Sequence, residues 1–357
     1  MTDADRDFLF DLLNTPSPTG FETPGQKKWA ARVNTFADRV ESDPYGNVWA
    51  TLGGPADGPR VMLEAHADEI GFMVKYITDE GFIHIDRIGG SDHAVARGKR
   101  VRIFGSKGEV LGVVGNTAIH IRDRSGEEKA PKLEELFLDI GANSKEEVAE
   151  RGIRVGHPAV YAESVEALTE QRLVGRALDN RLGGFVVAQA LKQLAQGERA
   201  STVYGVNAVQ EEIGGHGARM VAYRLHPDVA LVLDVTHATD SPGISKAKHG
   251  EVKLGGGPSI THGTVNHPKV VERLVEVAEQ EEIPLQHEAS SRFSGTDTDV
   301  IFHTKSGIPS ALISIPMRYM HSTVETVDLG DVDHAVRLMT AFARSITAGD
   351  SFAAEIL

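Results

Sequence analysis

Two stretches of strand–helix alternation, separated by a run of short strands and glycine turns, set the limits on how this chain can fold. After Ala177, "LDNRLGGFVVAQALKQLAQ" reads as a helix, "STVYGVNAV" as a strand, "HGARMVAYRL" as a helix and "DVALVLDV" as a strand. "PKVVERLVEVAEQEE" is again helical, "SALISI" is a strand, and "VDHAVRLMTAFARSI" is the closing helix. Alternation of this kind implies a mostly parallel sheet covered on both faces. Near the start, Phe8, Leu9, Leu12 and Leu13 form a helical stripe that "NTPSPTG" ends, and a second helix is expected from about Thr23 to Phe36. "YGNVWATL" and "RVMLEAHAD" follow as strands. From Gly71 to Gly175 the texture changes to "GFMVKYIT", "GFIHIDRI", "KRVRIFG", "GEVLGVVG" and "HPAVYAE", short strands punctuated by glycine, with "RDRSGEEKAP" as a charged, exposed loop. That is the pattern of a small β-rich domain inserted into another. The expected fold is α/β: a mixed, mostly parallel sheet sandwiched by helices over residues 1–70 and 176–357, with a β-barrel-like domain at 71–175.

Composition narrows the function. At 357 residues the chain suggests about two domains, and 41% hydrophobic against 25% charged residues supports a sizeable core. A formal charge of −14 argues against nucleic acid as a partner, because phosphate binding needs basic surface. The absence of cysteine excludes disulfides, thiol nucleophiles and thiolate ligands. Any metal must be held by imidazole and carboxylate, which suits zinc, cobalt or manganese. The acidic "MTDADRDFLFDLLN" is unlike a signal peptide, and no run approaches the ~18 apolar residues of a membrane span. The expectation is a cytoplasmic protein with no membrane partner.

Five potential ligands fall at strand ends or just beyond them: His66, Asp179, Glu212, Asp234 and His321. Open α/β sheets bind ligands at the carboxyl ends of their strands, so these positions converge. In "HAD", residues two apart on a strand share a face, which lets Asp68 orient His66. Asp179, at the start of a helix in "ALDNRLGG", suits either a helix cap or a carboxylate bridging two metals. Glu211 and Glu212 follow a buried strand in "QEEIGGHG", where adjacent like charges are costly unless paired or bound to a cation. One can ligate while the other acts as a base. Asp234 ends the wholly apolar "ALVLDV", and His321 follows "IPMRYM". The joint order His–Asp–Glu–Asp–His reads as a two-metal hydrolase, with Glu211 deprotonating a water held between the ions and returning the proton to a leaving amine. His84, His120 and His303 read as ordinary histidines, while His216, His237 and His262 stay undecided.

With "SPTGFE", "AHADEIGFMV", "LFLDIGANSKEEV", "GRALDNRLGG", "VQEEIGGHGA", "LDVTHATDSPG", "GTDTD" and "ISIPMRYMHSTVE" in order, the chain resembles the co-catalytic metallopeptidases of family 42, the glutamyl, deblocking and tetrahedral aminopeptidases. The resemblance spans essentially the whole length. It implies a zinc-aminopeptidase-like core holding two divalent ions per subunit, zinc or cobalt foremost and manganese also suited. His66, Asp179 and Asp234 would hold one ion and Asp179, Glu212 and His321 the other. Asp179 would bridge, Glu211 would be the base, and Asp68 would be the partner of His66. Short peptides would be the substrates, and the inserted domain would build a homo-oligomer, a tetrahedral dodecamer of dimers with inward-facing sites.

Some residues depart from that pattern. Thr298 and Asp299 stand where such relatives usually carry small residues, and His262 and His93 lie in altered contexts. The preferred N-terminal residue stays open on sequence alone, and so does the native metal. An aminoacylase- or carboxypeptidase-type amidohydrolase is the alternative, though that group carries its smaller domain after the paired glutamates. An endoglucanase or a non-catalytic assembly module stands further back.

Overall fold

The computed structural model describes residues 1–122 and 130–356. Helix α1 (Asp3–Asn14) begins at a reciprocal cap, in which Thr2 Oγ1 accepts from the Asp5 amide and the Asp5 carboxylate answers the Thr2 backbone. Helix α2 (Thr23–Val33) starts on a proline and ends before Phe36, where the backbone turns tightly onto the Val33 carbonyl. Strands β1 (Arg39–Ser42), β2 (Val48–Leu52) and β3 (Arg60–His66) follow. β3 leads directly into β4 (Gly71–Ile77), β5 (Ile83–Ile88), β6 (Arg100–Gly105), β7 (Gly108–Gly115), β8 (Phe137–Asp139) and, after the short helix α3 (Lys145–Glu150), β9 (Pro158–Tyr161). These six close into a barrel in the order β4-β5-β8-β7-β6-β9. Its interior is a separate apolar core of Phe72, Val74, Ile85, Val101, Ile103 and Leu138. Most of the charged "RDRSGEEKAP" tract, residues 123–129, lies outside the described residues.

Strands β10 (Glu166–Ala167) and β11 (Arg172–Gly175) leave the barrel, and β11 pairs with β17 (Glu325–Asp328) near the far end of the chain. Between them run α4 (Leu178–Leu194), β12 (Thr202–Ala208), α5 (His216–Leu225), β13 (Val229–His237), α6 (Lys246–His249), β14 (Ser259–Gly263), α7 (Pro268–Gln280), β15 (Gln286–Ser290), α8 (Thr298–Ile301) and β16 (Ser310–Met317), with α9 (Leu329–Ser345) closing the fold.

The main sheet has the order β1-β2-β12-β3-β13-β16-β14-β15. Its central strands β12, β3, β13 and β16 are mutually parallel, and antiparallel pairings occur only toward the two edges. Strands β3, β13 and β16 are buried almost throughout, as strands covered on both faces must be. One face packs under Leu9, Trp29, Leu182, Phe185, Leu274 and Phe342 from the helices, and the other under Val221, Ala222 and Ile301.

One buried ion cluster ties the two ends of the barrel excursion together. Glu69, on the β3–β4 link, is paired with both Arg176 from the β11–α4 link and Arg181 from the first turns of α4, and all three side chains are at most 3% exposed. Glu69 also accepts from the Ser17 amide at 2.8 Å, and Arg181 donates to the Leu13 carbonyl. Breaking a buried pair strands the remaining charge at a cost of about 3–5 kcal/mol. Glu69→Gln is therefore expected to lower the guanidinium unfolding midpoint by an equivalent amount; an unchanged midpoint would mean the arginines find other partners.

Candidate active site and metal centre

The carboxyl ends of the four central parallel strands carry the site. His66 is the last residue of β3, Asp234 lies near the end of β13, Glu211 and Glu212 follow β12, and His321 follows β16. Asp179 comes from the first turn of α4, where the backbone is not yet helical and the Asp179–Asn180 peptide is cis. The capping role open to Asp179 falls to its neighbour: Asn180 Oδ1 accepts from the Gly183 amide at 3.0 Å, and Asn180 Nδ2 donates to the Leu233 carbonyl at 2.7 Å. The Asp179 carboxylate is left free to face the site.

It lies between two histidines. Asp179 Oδ1 is 3.3 Å from His66 Nε2, and Oδ2 is 3.3 Å from His321 Nε2. Asp234 Oδ1 stands 3.6 Å from His66 Nε2, and Glu212 Oε2 stands 3.6 Å from His321 Nε2. Two groups with metal-ligand geometry result, His66–Asp179–Asp234 and Asp179–Glu212–His321, which share Asp179. Glu211 Oε2 is 3.8 Å from His66 Nε2 and belongs to neither group. All seven side chains singled out in the sequence thus gather at one place.

Two carboxylates, Asp68 and Glu325, organise the backbone around the clusters. Asp68 accepts from the amides of Glu211 at 3.0 Å and Glu212 at 3.2 Å and from Thr19 Oγ1 at 2.8 Å, and it faces His66 Nδ1 at 3.3 Å. That last contact turns His66 Nε2 toward the cluster. Glu325 accepts from the amides of Leu178 at 2.9 Å, Asp179 at 3.2 Å and His321 at 3.0 Å. Ala177, Gln210 and His321 all have left-handed φ, at 57°, 62° and 60°. Such conformations are disfavoured for residues with a Cβ and persist where surrounding bonds over-determine them. Glu325 had no assigned role in the sequence, although its acid follows directly on "MHSTV".

Burial first, then mutual repulsion, raises the carboxyls. Glu211 is pushed up to about 10 by burial and by Asp234, Asp297 and Asp179. Burial and Asp179 hold Glu212 well above the usual carboxylate range, and Asp234 is also raised by its burial. Burial opposes the charged form of His66, yet Glu211, Asp179, Asp234 and Asp68 around it hold its pKa well above normal. Glu212 Oε1 is buried with no hydrogen-bond partner among the described residues. A crowd of nitrogen and oxygen donors short of positive charge is the environment a hard or borderline divalent cation fits. Behind the site, Glu64 in mid-β3 and Asp297 form a buried acid pair, the former raised by burial to about 8. The lone acid in "VMLEAH" was the visible signal for it.

The other flagged residues divide. His237 and Asp299 line the cavity in front of the clusters, which has a volume of about 680 Å³. His262 instead contacts His287 at 2.9 Å on the sheet edge, Thr298 is buried, and His93 lies in the turn formed at Asp92.

The barrel reaches back into this site. His321 Nδ1 lies 3.1 Å from the Gly90 carbonyl, which leaves Nε2 to face Asp179. A side chain on Gly90 would sit 2.7 Å from His321 Nδ1, and one on Gly89 would sit 3.1 Å from Glu212.

A parallel sheet whose carboxyl edge gathers two sets of imidazole and carboxylate ligands defines a hydrolase of the α/β class. The chain belongs to the M42 glutamyl aminopeptidase family, whose pattern matches residues 46–338, and it is a peptide hydrolase. It is 36% identical to a lysyl aminopeptidase of Pyrococcus furiosus over 97% of this chain and 99% of that one. It superposes on a TET aminopeptidase from a marine-sediment thaumarchaeote with a TM-score of 0.92 at 34% identity, covering 97% of each. A Pyrococcus horikoshii TET1 peptidase, described as assembling into a tetrahedron or a large octahedral shell, matches with a TM-score of 0.85 at 29% identity, over 96% of this chain and 100% of that one. No helix among the described residues is long and apolar enough to cross a membrane.

Gly90→Ala should displace the His321 ring. Losing an outer partner of a ligand typically weakens metal affinity about 10–100-fold. Titration of the metal-stripped variant with Zn²⁺ or Co²⁺ should therefore show one weakened site, and two unaltered sites would refute the link.

Proposed function

We propose that this chain is a dinuclear metal-dependent aminopeptidase that removes N-terminal residues from short peptides. The observation that carries the reading is the shared carboxylate: Asp179 presents one oxygen to His66 and the other to His321, at 3.3 Å each. His66, Asp179 and Asp234 would hold one ion, and Asp179, Glu212 and His321 the other. When bound, the ions would supply Lewis acidity toward the scissile carbonyl and lower the pKa of water between them. Zinc and cobalt suit this donor set first, and manganese also.

Glu211 supplies the proton chemistry. It stands beside the clusters without belonging to either, in a position to take a proton from the attacking water. As the peptide C–N bond breaks, the same carboxyl delivers that proton to the departing amine nitrogen. Burial, which favours the protonated form of Glu211, suits the delivery step, and the ions' charge would favour the earlier uptake. Asp68 positions the base through the Glu211 amide and orients His66 through Nδ1.

The aminoacylase-type alternative places its smaller domain after the paired glutamates. Here the barrel strands lie between His66 and Asp179, which favours the aminopeptidase reading. The division into a core of residues 1–70 and 176–357 and an insert at 71–175 belongs to the same proposal. So does a cytoplasmic homo-oligomer, with the insert as the assembly element and the dodecamer as its expected form. The insert's β7 exposes Leu111 and Val113 on one face, an apolar surface suited to a second copy.

Glu211→Gln should keep its bound metal, measured by elemental analysis, while kcat on aminoacyl p-nitroanilides falls at least ~100-fold. Near-wild-type turnover would refute the proposed base. Replacing Leu111 and Val113 together with glutamate should lower the mass measured by light scattering; an unchanged mass would place the interface elsewhere.

A further inference from the structure

Apart from its histidines, the charged side chains that line the cavity in front of the clusters are all acidic. Among the described residues none of its lining side chains is lysine or arginine, and five are carboxylates: Asp179, Glu211, Glu212, Asp234 and Asp299. The first four belong to the two clusters or stand beside them, and a pair of divalent ions would offset their charge. Asp299 has no such compensation. It lies outside both candidate ligand groups, in the first turn of the short helix α8.

The hydrogen bonds of Asp299 leave it partly unsatisfied. Oδ1 accepts from the Ser294 amide and hydroxyl, both at 2.9 Å. Oδ2 accepts only from the Gly295 amide, at 2.8 Å. A carboxylate oxygen can accept about two hydrogen bonds, so Oδ2 keeps capacity for one more donor at the cavity wall. The same three bonds brace the carboxylate, so little side-chain freedom remains to be lost when a ligand arrives. Deeper in the wall, Glu288 adds charge of the same sign. Its Oε1 accepts from the hydroxyl of the cavity-lining Thr236 at 2.7 Å, and its Oε2 is buried with no partner among the described residues.

We propose that Asp299 is the specificity determinant of this cavity and selects peptides whose N-terminal residue is lysine or arginine. The inference rests on the aminopeptidase reading above. The ammonium or guanidinium of the substrate side chain donates to Asp299 Oδ2, a charge-assisted bond of the stronger kind. An acidic side chain meets the like charge of Asp299, with no lysine or arginine in the lining beside it. An apolar side chain desolvates Oδ2 and leaves it unpaired.

The test is kcat/KM for Lys-, Arg-, Leu- and Glu-p-nitroanilide with the metal-loaded enzyme and two variants. In the parent, Lys and Arg should exceed Leu by about tenfold or more, and Glu should be the poorest. Asp299→Asn keeps a side-chain oxygen for the Ser294 donors and removes the charge, so the Lys:Leu ratio should fall about tenfold. Asp299→Lys should raise the Glu:Leu ratio. A circular dichroism melt of each variant separates a lost fold from a changed preference. A parent preference for Glu or Leu, or a Lys:Leu ratio unmoved in both folded variants, overturns the assignment while leaving the aminopeptidase reading intact. No cleavage of any anilide with either metal sinks both.

Discussion

The pairing of Glu69 with Arg176 and Arg181 is the contact on which the rest of the architecture hangs. The chain leaves the parallel sheet at His66, builds a closed barrel, and must come back so that Asp179 faces the residue where it left. Glu69 sits three residues past His66, and Arg176 and Arg181 bracket Asp179. A buried carboxylate satisfied by two guanidinium groups allows little play, because any separation leaves a desolvated charge. The Ser17 amide and the Leu13 carbonyl complete the cluster and anchor the end of α1 to the same point. The spacing between the two histidine clusters is thus held by an ion group that takes no part in the chemistry.

Carboxylates at this sheet edge divide by how fully their oxygens are used. Asp68 and Glu325 accept several backbone amides each, and those amides belong to the segments that present Glu211, Glu212, Asp179 and His321. They hold backbone in left-handed conformations that residues with a Cβ otherwise avoid. Glu212, by contrast, has a buried oxygen with no partner, and repulsion adds to burial in raising its carboxyl. The first kind is already satisfied by protein and serves as scaffold. The second kind calls for a cation. This difference in saturation separates residues that hold the frame from residues that face the reaction.

Much of this was legible in the sequence. Apolar strands carry their own periodicity, and an acid or histidine at the end of such a strand stands out against it, so His66, Glu211, Glu212, Asp234 and His321 carry weight together, as an ordered set, more than singly. Asp179 was ambiguous because a helix start serves caps and ligands equally. The ambiguity resolves only in three dimensions, where Asn180 takes the cap. Glu325 was missed for a similar reason: its partners are main-chain amides up to 147 residues away, and a main-chain donor leaves no mark in a side-chain pattern. The end of α2 was placed late because the residues after Val33 keep helix-like turns without continuing the helix.

Gly90 shows why the barrel cannot be treated as a passive addition. Its carbonyl orients the His321 ring, and its missing side chain leaves room for that ring, so an element remote from the parallel sheet completes the second cluster. Gly89 also stands close to Glu212, which makes the contact two-sided. A barrel built to pack against a second copy of the chain would transmit any shift of its β5–β6 link directly to His321 and Glu212, whereas His66 and Asp234 stand on the sheet itself. The two candidate metal positions are therefore unequal in mechanical terms: both share Asp179 from α4, and the second is set jointly with the barrel.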